Sequence, residues 1–254
     1  MSYGRRMRAD DHTTALPPSP TLRERRRAAA TREIVDAAES HIAEHGSAAL
    51  SLRAVARSLG MTVQALYHYF LSRDALVTAV IARAYDRLAD AVQNAVDTLP
   101  ADSDTPRMVA AAEGYRAWAI AHPELFQLLY GTPLRNYAAP EGGPTTLAMR
   151  RLGDVFTREL FVGFTPSQLA AADVPGLSPA LRAHLDGLAP DTVGGLPAAA
   201  TALLLSAWGH LHGLVVLEVF GHLPFMGDHQ AEVFRLSMRN LLVDIRARVP
   251  RTAP

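Results

Sequence analysis

The side chains most able to do chemistry crowd the stretch after Gly60: Thr62, Val63, Gln64, Tyr67, His68 and Tyr69. Most end in hydrogen-bonding groups, where a purely structural helix would more often carry Glu, Lys or Arg. Such tips suit phosphate oxygens and base edges. Two short helices must position them. Leu52, Val55, Ala56 and Leu59 recur at helical spacing, and Ser51 can cap the first turn. Gly60 then stops that helix, because a sharp turn needs a positive φ that a Cβ disfavours. Thr62 is a second N-cap, and the next helix is expected over Val63 to Phe70 with Leu66 and Phe70 inward. Ala56 is small enough to let the two helices cross closely. This is helix-turn-helix grammar, in which the second helix enters the DNA major groove.

The run Leu66-Tyr67-His68-Tyr69-Phe70, followed by Arg73 and Leu76, resembles the DNA-binding domain of the tetracycline-repressor (TetR) family of bacterial regulators. The resemblance extends back through Thr31 to Ala38 and through His45-Gly46, with the family's Phe replaced by His41 or Ile42. It implies that Ser51, Thr62, Tyr67, Tyr69 and Arg73 contact phosphates. Val63, Gln64 and His68 are expected to face base edges, although Val63 and Gln64 fall at positions that vary within the family.

At 254 residues the chain can bury a sizeable core, and its formal net charge of zero argues against a nonspecific polyanion binder. The charge is unevenly placed: residues 1 to 32 carry Arg5, Arg6, Arg8, Arg23, Arg25, Arg26, Arg27 and Arg32 against only Asp10, Asp11 and Glu24. Residues 1 to about 20 read as disordered, a leader without a role or a functional arm. Arg23 to Arg27 read either as an arm tracking phosphates or as a solvated helix start. The absence of cysteine excludes disulfides and thiolate chemistry. No uninterrupted apolar run reaches the ~18 to 20 residues that span a bilayer, and no apolar stretch follows the N-terminal arginines, so a cytoplasmic protein is expected.

Further helices are expected over Arg32–His45 (capped by Thr31), Ser72–Asp97, Arg107–Ala121, Glu124–Tyr130 with Pro123 at the first helical position, from Thr145 or Thr146 to Val162, and over short pieces at Pro166–Asp173 and Pro179–Leu188. The Gly- and Pro-rich segment from Gly131 to Pro144 is expected to be mobile rather than a lid. Pro197 to His222 is apolar on nearly all sides, hence buried or at an interface. Asp228 is expected to cap a last helix to Val249, with Val233, Leu236, Met238, Leu241, Leu242 and Ile245 inward. Gly209 and Gly213 each cost ~1 kcal/mol inside a helix, which implies unusually close packing on the last helix or on a second subunit.

The segment Trp208 to Leu214 resembles the Trp-His-Gly signature of one TetR C-terminal class, as do Tyr115 to Ala119 and His122 to Leu125. The resemblance implies dimerisation through the last two long helices and a ligand pocket among the preceding ones. Tyr115, Trp118, Phe126, Tyr130, Phe156, Trp208 and His212 are the candidate lining, with plain core as the competing reading. A metal is disfavoured because His210 and His212 lie ~200° apart on a helix, leaving Glu218 and His222 as the aligned pair. No nucleophile elbow, P-loop, dinucleotide fingerprint or zinc-protease motif nominates an enzyme.

These readings predict an all-α chain: an N-terminal arm (1–22), a three-helix DNA-binding domain (23–75), a larger effector-binding and dimerisation domain (76–249) and a tail (250–254). The expected function is that of a dimeric, ligand-responsive repressor binding a palindromic operator, without cofactor, metal or catalytic residues. A helical ligand- or partner-binding protein without DNA binding, or a small-molecule enzyme on an all-α scaffold, are the alternatives.

Overall fold

Helix α1 (Leu22–His45) begins at Leu22 rather than Arg32 in the computed structural model, which describes residues 21–131, 134, 137–189 and 192–251. A capping box sets the earlier start. Thr21 Oγ1 accepts from the Glu24 backbone N–H at 3.3 Å, and the Glu24 carboxylate accepts from Thr21 N–H at 2.7 Å. Thr31, expected as the cap, instead donates its hydroxyl to the Arg27 carbonyl inside the helix, at 2.9 Å. Arg23 to Arg27 therefore stand on a helix and not on an extended arm. The expected arm lies, up to residue 20, outside the described residues, as does the end of the tail.

Helix α2 (Leu52–Ser58) packs on α1 and α3 (Val63–Tyr67) packs on α2, with Ile34, Ile42, Val55 and Leu66 all buried in the shared core. Helix α4 (Arg73–Asp97) leaves this unit and becomes the axis of the rest. It packs against α5 (Arg107–Ala121) and α7 (Pro144–Phe161), burying Leu76, Val80, Ala84, Leu88 and Val92, the predicted stripe. At Gly114 on α5 a Cβ would lie 2.7 Å from Ala95 Cβ and 3.0 Å from the Ala91 carbonyl oxygen, so the α4–α5 crossing requires glycine there. Glu39 of α1, nearly buried, takes Arg87 of α4 at 2.6 Å, and Arg83 reaches both Glu39 and Asp36. These pairs join the first helix to the long one. Removing both arginines would strand a buried carboxylate.

Helix α6 (Pro123–Tyr130) starts at its proline, as predicted, and touches α1. Within the following segment Leu134 and Tyr137 pack on the core, and the Tyr137 and Thr78 hydroxyls meet at 3.1 Å, an anchor that composition did not predict. Helix α7 opens at Pro144 on Gly143 rather than on a threonine cap. Helices α8 (Pro166–Ala170) and α9 (Pro179–Asp186) are shorter than expected.

Helix α10 (Ala198–Val219) and α11 (Gln230–Arg248) close the fold. Asp228 lies in a 3-10 segment, Pro224–His229, so it does not cap α11. The buried stripe of α11 is Phe234, Met238, Leu242 and Ile245. Leu236, expected inward, is 57% exposed, since two residues along a helix turn about 200°. A Cβ on Gly209 or Gly213 would meet nothing within 4 Å, so these glycines do not serve packing on α11. They share the outer side of α10 with Leu205 and Leu217, both exposed. Although no uninterrupted apolar run was found, α10 as a 22-residue helix is long and apolar enough to cross a membrane by length and composition alone. Among the described residues there is no strand.

Candidate nucleic-acid interface

Three short-range caps build the turn. Ser51 Oγ accepts from Ala54 N–H at 3.2 Å, Thr62 Oγ1 from Ala65 N–H at 3.1 Å, and Ser72 Oγ from Ala75 N–H at 3.0 Å. Each hydroxyl keeps its own proton, so Ser51 and Thr62 can still donate to a phosphate oxygen. Gly60 takes φ +63°, and Met61 N–H closes the turn on the Ala56 carbonyl at 2.9 Å. Buried Leu66 and Phe70 pin α3 from behind. The helix ends at Tyr67 and not at Phe70, because its last turn tightens to i→i+3 bonds, His68 N–H to Ala65 and Tyr69 N–H to Leu66.

Of the expected readers, Gln64, Tyr67 and His68 are exposed on one side of α3, with Tyr67 at 42%. Val63 and Tyr69 are half-buried and pack against the core. Arg73 donates through Nε to the Leu50 carbonyl at 3.0 Å, which ties the start of α4 to the loop before α2. Two features were missed from the sequence. Arg27 of α1 donates to the His68 carbonyl at 3.0 Å and lies 5.5 Å over the Tyr69 ring, so it holds the end of α3. Arg23, Arg26, His68 and Tyr69 line one open cleft there. Arg53 and Arg57, exposed at i, i+4 on α2, carry no carboxylate partner among the described residues. Their spacing beside the capped turn was the available signal.

Behind this unit, Tyr115, Phe126, Tyr130, Phe156, Trp208 and His212 form one aromatic cluster. Tyr115 Oη and His212 Nδ1 are 2.8 Å apart, and the Trp208 and His212 rings stack at 5.4 Å. Trp118 stands apart, edge-on to His122 at 5.1 Å, with its indole N–H buried and unpartnered. A cavity of about 190 Å³ opens beside Tyr130, Met149, Leu152 and Trp208. A larger one, about 380 Å³, is bounded by Ile81 and Tyr85 of α4, Leu129 of α6, Tyr137 and, again, Met149. Burial holds the Tyr115 and Tyr130 phenols above their ordinary range and the His212 imidazole below its own, so the cluster is uncharged near neutrality. Glu218 is held by Arg116 rather than shared with His222.

A capped turn presenting an exposed helix, carried on a long helix that also walls an apolar cavity, defines a helix-turn-helix protein with a larger helical domain behind it. Residues 34–80 match the family described as bacterial regulatory proteins, tetR family, and residues 108–241 match the one described as tetracyclin repressor-like, C-terminal domain. The chain belongs to the TetR family. It is 42% identical over 124 residues to the HTH-type transcriptional regulators Mb1846 of Mycobacterium bovis and Rv1816 of Mycobacterium tuberculosis. That match covers 49% of this chain and 53% of each relative, so the chain spans about half the length of the curated relatives it matches. The crystal structure of SCO4313, described as a regulatory protein, superposes with a TM-score of 0.68 at 33% identity over 88% of this chain and 100% of that one. A Rhodococcus protein of unknown function gives 0.59 at 25% identity, over 87% and 95%.

Proposed function

We propose that this protein is a one-component transcriptional regulator, a repressor that binds a palindromic operator as a dimer and is released by a small molecule. The observation that carries the reading is the outward set Gln64, Tyr67 and His68 on a capped helix, flanked by Arg53 and Arg57 without carboxylate partners among the described residues. Gln64 and His68 read base edges; Ser51, Thr62 and Tyr67 grip phosphates, and Arg73, Val63 and Tyr69 chiefly set the pose of α3. The division into a DNA-binding unit (23–75) and a sensing unit (76–249) follows α4, which belongs to both.

Dimerisation uses the helices over residues 197–222 and 228–249. Leu205, Leu217, Phe220, Leu236 and Val243 expose apolar surface there, and outward Gly209 and Gly213 let a second copy approach closely. This face accounts for the apolarity of α10 in a cytoplasmic protein. The effector is a small uncharged, largely apolar molecule among Tyr115, Phe126, Tyr130, Phe156, Trp208 and His212, with Trp118 at the periphery. By pressing on Tyr130, whose ring meets Tyr85 of α4 edge-on at 5.8 Å, it would shift α4 and change the separation of the two reading helices. Relatives named as transcriptional regulators support a non-enzymatic role.

A gel-shift titration against the DNA upstream of the protein's own gene tests the reading. A sequence-selective shift that weakens with salt is expected; a shift with no sequence preference, or none at all, would overturn it.

A further inference from the structure

A cleft between the start of α5, the end of α7 and the flank of α11 takes no part in DNA reading or in the aromatic cluster. Its volume is about 460 Å³, within the ordinary range of small-molecule sites. Met108, Val162 and Leu242 form an apolar floor, and Arg107, Arg239 and Arg246 stand around it. The carboxylate in its lining, Glu159, is buried and already engaged. Arg107 Nε reaches it at 2.9 Å and Arg158 Nε at 2.9 Å. Burial alone would raise the Glu159 carboxyl, but the two guanidiniums outweigh it and hold the group below its ordinary value. Arg239 has only the Thr105 hydroxyl, at 3.4 Å, and Arg246 lies 6.0 Å over the Phe164 ring. Among the described residues neither has a carboxylate in reach. Two uncompensated guanidiniums therefore border an apolar floor.

We propose that this cleft binds an anionic amphiphile, its carboxylate or phosphate head held by Arg239 and Arg246 and its hydrocarbon part laid on Met108, Val162 and Leu242. Arginine forks match both head groups, and charge-assisted bonds of this kind are the strong ones. The aromatic cavities do not suit such a head, because their lining offers neutral phenol, hydroxyl, indole, thioether and apolar groups and no cation to offset a buried anion. The molecule thus sorts ligands by charge, neutral ones to the core and anionic ones to the cleft. An occupant would also bridge α11 to α5 and α7, beside the proposed dimer face.

Calorimetric titration of the full chain with octanoate, octyl phosphate, 1-octanol and inorganic phosphate tests this without DNA, so its outcome is separate from that of the regulator reading. At least one of the two amphiphilic anions should bind about tenfold or more tightly than both 1-octanol and inorganic phosphate, and which one does identifies the head group. The double variant Arg239→Gln/Arg246→Gln should weaken that anion roughly 10- to 100-fold and leave 1-octanol unchanged. Val162→Asp, at an exposed lining position outside the proposed dimer helices, should weaken it too by placing a carboxylate in the cleft. Octanol binding as tightly as the anions, inorganic phosphate alone binding as tightly, or unaltered anion binding in both variants would each overturn the proposal.

Discussion

At the scale of single residues, the side chains on α3 differ in what they are free to do. Gln64 is exposed and can meet an adenine edge with two bonds, whereas Tyr67 offers one hydroxyl suited to a phosphate. Gln64→Ala should relax preference at one position per half-site, worth about 1–3 kcal/mol there, while Tyr67→Phe should weaken all sequences alike. Uniform loss in both, measured on a panel of single-base operator variants, would show the two roles to be wrongly divided. His212 supports a second expectation. Burial lowers its imidazole, and burial with the nearby Arg87 charge lowers that of His122. The unfolded chain takes up these protons near pH 6.5 while the folded one resists. Stability from the neutral forms is therefore full above about pH 6.5 and is lost as pH falls through the lowered values. Scanning calorimetry should show the melting temperature dropping from pH 6.5 to 5, less steeply in His212→Gln; equal slopes would remove His212 from the account.

At the scale of elements, what could be read in advance was whatever closes within a few residues. Ser51, Thr62 and Ser72 each bond an amide three positions on, so their helices were foreseeable from residue type alone. The failures have the opposite character. Thr21 and Thr31 are both adequate caps, and the capping glutamate three residues after Thr21, which discriminates them, was overlooked. Arg27 grips a carbonyl 41 residues away, and no local pattern marks such a pair. The glycines invite the same comparison. Gly209 and Gly213 drew attention by spacing, yet the close crossing inside the protomer is at Gly114, an unremarked glycine in α5. Gly114→Ala should cost about 1–3 kcal/mol in chemical denaturation, because the new methyl meets Ala95 and a carbonyl oxygen. Gly209→Ala should leave the protomer as stable or slightly stabilise it, by up to ~1 kcal/mol, while loosening self-association. Similar costs at the two sites would erase the distinction between an inner and an outer glycine.

At the scale of the whole molecule, one apolar face remains uncovered, formed by α10 and α11 with Leu236 at 57% and Val243 at 67% exposure. Leu236→Arg with Val243→Glu should yield a folded monomer by sedimentation and should weaken operator binding by orders of magnitude; dimers at micromolar concentration would place the interface elsewhere. The proposed dimer matters because of the brevity of α3. Its five residues extend about 7.5 Å at 1.5 Å per residue, the length of about two or three base-pair steps. Two copies could then dictate about four to six base pairs directly, or roughly 8 to 12 bits at two bits per fully specified pair. Singling out one address among about a million competing sites takes roughly 20 bits. The tight turn at Gly60 and the early end of α3 thus leave close to half of the address unwritten by base contacts. In the proposed complex that remainder falls to the flexibility and groove width of the operator, which the arginines of α1 and α2 are placed to read.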